Sequence, residues 1–313
     1  MDSKEMRAAY ADTLLELAAE NPAIIVLEAD LMRATGTGSF QKAYPDRCIN
    51  VGIAEANMVG MAAGMSAAGK IPFAATFACF ASRRAFDQFF LSANYAQLNV
   101  KLVGTDPGVT AAFNGGTHMP FEDLALMRVI PGLKIVEPSD PASCAAMVRL
   151  AAGTKGCVYI RLPRKVAPYL YDANEKFEFG KAKLLREGKD LCFVTLGSLM
   201  VNEALKAADM LAAEGIKASV LDALSLKPLD AEAVLKQARA TGAIISIENH
   251  QIAGGLGSAI AELLAESSFG GKFTRIGIRD EFGEVGTQDY LMKRFGLLAE
   301  DLTSTARKLL GSS

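Results

Sequence analysis

Residues 48–77 read CINVGIAEANMVGMAAGMSAAGKIPFAATF. Two short apolar runs, CINVGI at 48–53 and IPFAATF at 71–77, flank a proline-free stretch of small and apolar residues, and that order predicts a strand, a helix and a second strand. Both runs are nearly continuously apolar, the pattern of strands covered on both faces in a parallel sheet. Gly60, Ala63, Gly64 and Ala67 would let another backbone approach the helix closely. One carboxylate, Glu55, stands at the helix start. A glutamate there has two readings. It can be a first-turn acid satisfied by free backbone N–H groups and the helix dipole, or a desolvated carboxyl able to share a proton with a ring nitrogen.

Outward from this unit the same alternation continues. Strands are predicted at AIIVLEAD (23–30), VKLVGTD (100–106), LKIVEP (133–138) and CVYIRLP (157–163). Helices are predicted at ASRRAFDQFFLSANYAQ (81–97), FEDLALMRVI (121–130) and PASCAAMVRLAAG (141–153), after an amphipathic amino-terminal helix that ends at Pro22. The fold class is therefore α/β, with a largely parallel sheet covered on both faces. After residue 166 the composition turns charged and turn-rich without a sustained period, so 167–188 reads as a linker with room for one short hairpin. A second α/β unit follows over 189–313. Its predicted strands are LCFVTLG, KASVLDAL, AIISIEN and FTRIGIRD, and its helices are SLMVNEALKAADMLAAEG, DAEAVLKQARATG, GLGSAIAELLAE and TQDYLMKRFG.

The bulk composition narrows the function classes. Of 313 residues half are apolar, and 33 Lys+Arg stand against 35 Asp+Glu without a basic run. Nucleic acid and acidic membrane surfaces therefore have no electrostatic footprint in this chain. No apolar run reaches the roughly 18 residues needed to span a bilayer. The five cysteines are odd in number, scattered and set among apolar residues, as expected of reduced core thiols in a cytoplasmic protein. Two histidines are too few for a histidine-based metal centre.

Three further stretches hold candidate chemistry. In TFACFASRRAFDQ, residues 76–88, Phe77 and Phe80 fall at the carboxyl end of a strand, where open α/β sheets bind ligands and where a ring can stack on a planar heterocycle. Taken alone, a Phe pair at this spacing is more often core. Arg83 and Arg84 could hold an anionic substrate, or pair with Asp87 on the surface. In GTDPGVTAAFNGGTHMPFEDLALMRVIPGL, residues 104–133, a long glycine-punctuated loop delivers His118, and loops of that length in compact domains tend to be functional or mobile. Arg161, ending a strand at the same edge, could join His118 in a polar cluster or serve as a capping ion pair. GGLGSAI at 254–260 invites a dinucleotide reading, but Ile260 stands where the fingerprint has its final glycine, so it reads as a tight helix start.

Together these blocks resemble the carboxyl-terminal half of transketolase and of its relative deoxyxylulose-phosphate synthase, over nearly the whole chain. The most specific parts are GIAEANMVGMAAG, TFACF…RAFDQ, GGTHMPFEDL…IPGL…PSD, IENHQIAGGLGSAIAELL and IRDEFGEVGTQDYL. The resemblance implies a pyrimidine-binding thiamine diphosphate domain followed by a smaller transketolase carboxyl-terminal domain. It implies that Glu55 hydrogen-bonds the N1′ nitrogen of the aminopyrimidine, favouring the imino tautomer that deprotonates the thiazolium C2. The ylid would then attack a ketose and pass a two-carbon unit to an aldehyde. Phe80 matches the aromatic that stacks on the pyrimidine, and Phe77 a second ring lining its pocket. His118 matches a histidine that contacts substrate hydroxyls, Arg161 an arginine that binds substrate phosphate, and Arg83 a position that is arginine in the synthase branch.

Two departures bear on substrate. Thr105 stands where sugar-phosphate transketolases have a histidine, and Asn114 replaces an aspartate four residues before the active-site histidine. A third bears on assembly, because the Gly-Asp-Gly…Asn motif that holds a divalent ion such as Mg2+ on the diphosphate does not occur. The resemblance therefore implies half an enzyme. A separate amino-terminal transketolase subunit should hold the metal and diphosphate, most simply in an assembly of two copies of each subunit. A β-type subunit of a 2-oxoacid dehydrogenase or synthase, and a noncatalytic assembly subunit, are the alternatives.

Overall fold

The computed structural model describes residues 2–311. A seven-stranded sheet has the order Ser225–Lys227, Lys134–Val136, Val158–Leu162, Lys101–Thr105, Ile71–Phe77, Ile24–Glu28, Cys48–Asn50. All neighbours are parallel except the first pair. Successive residues of its central strands serve opposite faces. Leu27, Ala74 and Leu102 meet Met58, Val59 and Ala62 of the helix Glu55–Ala67. Val26, Phe73 and Val103 instead meet the helices Met6–Glu20 and Pro141–Gly153 through Tyr10, Leu14, Met147 and Val148. Burial on both faces explains why these strands are apolar throughout, each fully buried large side chain contributing about 1.5–3 kcal/mol.

A second, five-stranded sheet has the order Lys272–Ile278, Ala243–Gln251, Leu191–Thr195, Ala218–Asp222, Lys183–Arg186, its last strand antiparallel. The stretch read as a linker thus contributes an edge strand to this sheet. It also begins with residues of Val166–Pro168, which pair with Ser3–Glu5.

KASVLDAL, residues 217–224, holds a strand of the second sheet, and the chain changes sheets directly after it. The strand ends at Asp222, the chain turns at Leu224, whose φ is +54°, and it then enters the first sheet as Ser225–Lys227. Periodicity reports that a segment is extended but not which neighbour it pairs with. Among the described residues three α-helices lie outside the elements read from sequence: Met32–Thr35, Gly38–Ala43 and Ala299–Leu310. The last buries Leu302, Thr303 and Ala306. Among the described residues no helix is long and apolar enough to cross a membrane, and all five cysteines are free and buried.

Candidate active site

Three adjacent parallel strands of the first sheet end in register, Phe77 beside Thr105 and Thr105 beside Leu162. Ligands of open α/β sheets bind beyond such carboxyl ends, and most of the residues singled out in the sequence converge there. Glu55 opens its helix after a turn at Gly52, where φ is +73°, and its side chain is 1% exposed. Its carboxylate is not held by first-turn N–H groups. Both oxygens accept from Nη1 of Arg84 at 2.9 Å. The Arg84 guanidinium also stands 4.0 Å over the Phe80 ring.

Phe77 ends its strand, and Phe80 opens a π-helical turn, Phe80–Arg84. Their ring centroids are 6.1 Å apart. Consecutive residues of a helical turn point in different directions, so the two arginines reach different neighbours. Arg84 goes to Glu55, while Arg83 donates from Nη2 to the Thr117 carbonyl at 2.8 Å and lies 3.2 Å from Glu122. Neither pairs with Asp87 among the described residues. The His118 ring stands edge-on to Phe80 at 5.2 Å and to Phe77 at 6.1 Å. Its Nδ1 is 2.9 Å from Thr117 Oγ1, which leaves Nε2 for a ligand. Asn114 is exposed on the same loop.

Arg161 does not join this group. Residues of a strand alternate between faces, and Arg161 turns inward, fully buried. Its guanidinium is bidentate to Asp123 at 2.7 and 3.0 Å, reaches Glu137 at 2.9 Å, and donates to the Asn249 carbonyl at 2.8 Å. Burial alone would raise the Asp123 carboxyl, but Arg161 outweighs it and holds that acid below its ordinary range. Burial pushes Glu137 up to about 7 despite the same guanidinium, so the single cation is matched chiefly to Asp123. Arg164, three residues on in the same LPRK run, is the arginine near the rim. Its Nε is 2.9 Å from Asp106, and its guanidinium is 5.9 Å from the Phe77 ring centre. Residue spacing alone could not separate the two arginines.

The GGLGSAI turn is closed by the protein itself. Glu248 accepts from the N–H groups of Leu256 at 2.8 Å and Gly257 at 2.9 Å, so the start of helix Leu256–Glu266 is already capped by a carboxyl group, which burial pushes up to about 7. Nearby His250 is fully buried. Burial pushes its imidazole down to about 4, and the neutral ring sits between the Gln251 carbonyl at 2.6 Å and the Ala125 N–H at 3.3 Å.

The converging groups are a buried carboxylate, two aromatic faces, an imidazole and peripheral guanidinium groups. They fit a planar nitrogen heterocycle with a polar substrate beside it. Among the described residues no group of histidine, cysteine or carboxylate side chains could hold a metal ion.

Residues 2–168 match the transketolase pyrimidine-binding domain, and residues 180–302 the transketolase C-terminal domain. The chain is 49% identical over 304 residues to the 6-deoxy-6-sulfo-D-fructose transketolase subunit SqwH of Clostridium sp. (strain MSTE9), covering 97% of this chain and 94% of that relative. It is 37% identical to a subunit of the apulose-4-phosphate transketolase of Phocaeicola vulgatus, covering 96% of each. Its fold superposes with a TM-score of 0.91, at 46% identity and 98% coverage of both chains, on a structure described as a split gene transketolase, inactive beta4 tetramer. Two domain matches in tandem across two parallel-sheet units, with Glu55, Phe77, Phe80 and His118 gathered at one sheet edge, establish that this chain belongs to the transketolase family.

Proposed function

We propose that this chain is the pyrimidine-holding subunit of a thiamine diphosphate-dependent transketolase. A partner subunit holds the diphosphate and its divalent ion, and the assembly transfers a two-carbon ketol unit from a ketose to an aldose. The observation that carries this reading is the meeting of a 1% exposed Glu55 carboxylate with the Phe80 face, both reached by the same guanidinium. When bound, the cofactor supplies the electron sink on which the carbon–carbon bond is broken.

The residues of this chain do the rest of the work assigned to it. Glu55, shielded from water, holds a proton at the heterocycle's ring nitrogen. Phe77 and Phe80 offer faces for stacking and exclude water. His118, with Nδ1 engaged, directs Nε2 to a substrate hydroxyl. Arg83, Arg164 and Asn114 at the rim suit a donor with an anionic end, and two relatives are named for a sulfo sugar and a sugar phosphate. Relatives named as subunits, and a similar structure described as a split gene transketolase, support the partner. Two copies of each subunit is the simplest assembly that puts each active site at the seam between unlike chains.

The test is reconstitution with the partner subunit, followed by a screen of ketose donors against 2-oxoacids. Ketol transfer is expected, and Glu55→Gln should lower kcat by about 10²–10⁴-fold with the assembly intact. Undiminished transfer by that variant, or turnover of 2-oxoacids alone, would overturn the reading.

A further inference from the structure

The loop that carries Asn114 and His118 is built into the second domain. Val109, Met119 and Phe121 are buried in one apolar cluster with Phe193, Ile247 and Leu291. Polar anchoring comes from the end of the strand Ala243–Gln251. Asn249, 4% exposed, accepts from the Val109 N–H at 2.9 Å and donates to the Pro107 carbonyl at 3.0 Å. Two residues on, the Gln251 N–H donates to the Phe121 carbonyl at 2.9 Å. One short stretch of the second domain therefore ties down both ends of the loop, and the Gly108 N–H closes them on each other through the Pro120 carbonyl at 3.1 Å. Gly108 has a φ of +55°, and a side chain there would collide with the Asn249 carboxamide.

The loop backbone is strained. Asp106 and Ala112 have φ of +54° and +48°, conformations that cost about 1–3 kcal/mol each for residues with a side chain and persist only when the surroundings enforce them. Nearer the histidine, a Cβ on Gly116 would run into the Gly283 carbonyl, so the second domain also backs the far end of the loop.

We propose that Asn249 is a positioning residue for ketol transfer: by gripping the base of this loop, the second domain sets where His118 stands against Phe80. Loss of the carboxamide leaves the Val109 N–H buried without its partner and takes one donor from the Pro107 carbonyl, which keeps only the Thr110 hydroxyl and N–H, and this favours loop conformations in which Val109 reaches water. A displacement of about 1 Å in a substrate-orienting group is enough to cost on the order of 10²-fold in rate. The proposal rests on the functional reading above, but its first measurement does not.

That measurement uses the full chain labelled with 15N-histidine, which carries only two imidazoles. His118→Gln identifies the His118 resonances. In Asn249→Ala these should shift or broaden, with amide exchange in 108–112 rising at least tenfold. The second measurement uses the assembled complex with fructose 6-phosphate as donor. Asn249→Ala should raise the donor KM at least tenfold while cofactor affinity, read by calorimetry, stays within twofold. Unchanged His118 resonances in the folded variant would overturn the proposal, as would a donor KM equal to wild type or a cofactor affinity that weakens in step with the donor. If Asn249→Ala does not fold, Asn249→Ser takes its place with the same expected split, and a wild-type donor KM overturns the proposal. If the wild-type complex uses neither fructose 6-phosphate nor any other ketose donor of the screen, the functional reading is what fails, and the His118 resonances still decide the positioning role.

Discussion

Arg84 spends its guanidinium on both groups that a bound aminopyrimidine would use, the Glu55 carboxylate and the Phe80 face. A heterocycle taking both must exchange places with it. Arg84 is about half exposed, so its pairing and cation–π contact together contribute about 1–2 kcal/mol, and each 1.4 kcal/mol corresponds to a tenfold change in affinity. Arg84→Ala is therefore expected to tighten thiamine diphosphate binding by the assembled enzyme up to about tenfold, measured calorimetrically. Weaker binding would mean that the arginine helps to hold the cofactor. Glu55, Phe77, Phe80 and His118 were set apart in the sequence by motifs resembling a known family, because residue type alone left each a structural reading; the structure brings the four together. The arginines were harder. Which of Arg83 and Arg84 reaches Glu55 depends on one π turn, and which of Arg161 and Arg164 reaches the rim depends on strand facing, neither of which leaves a mark in composition.

At the scale of elements, the βαβ alternation was readable because helices and strands differ in length and in their bounding turn residues. Partnership was not, as Ser225–Lys227 and Lys183–Arg186 show by joining sheets that their local sequence does not name. The helix Pro141–Gly153 is a case where local chemistry suffices. Asp140 caps it, accepting from the Ser143 N–H at 2.7 Å while Ser143 Oγ takes the Asp140 N–H at 3.0 Å, and Pro141 fits the first turn. The other oxygen of Asp140 accepts from Leu170 and Tyr171 at 2.9 and 3.1 Å, tying the crossing segment to the helix start. Asp140→Ala removes the cap and leaves those N–H groups unpaired, and should cost about 2–3 kcal/mol in urea unfolding. A loss below about 0.5 kcal/mol would show that water replaces the carboxylate.

At the scale of the whole molecule, stability should depend on pH through buried acids. Burial pushes Glu28 up to about 7 from 4.5, even though Thr35 and Thr37 donate to its Oε1 at 2.7 and 2.6 Å. The folded state therefore keeps a proton that the unfolded chain releases near 4.5. This destabilises the fold progressively as pH rises from about 4.5 to 7, reaching roughly 3 kcal/mol above that window. Glu28→Gln removes the dependence. Its stability relative to wild type should rise by that order between pH 5 and pH 8 in denaturant titrations, and a difference constant with pH would contradict the assignment.

The same scale gives Arg161 its meaning. One guanidinium, wholly shielded from water, neutralises acids of the first unit and binds the backbone of the second, while residues 225–227 complete the first unit's sheet. Pulling the halves apart would leave the ion pairs within the first unit but break the bond to the Asn249 carbonyl and remove residues 225–227 from the first unit's sheet. Calorimetry should therefore record one melting endotherm for the chain rather than two. Chimaeras joined between residues 167 and 188 should also fare badly unless both parents share these contacts, because the covalent seam there does not coincide with a mechanical one.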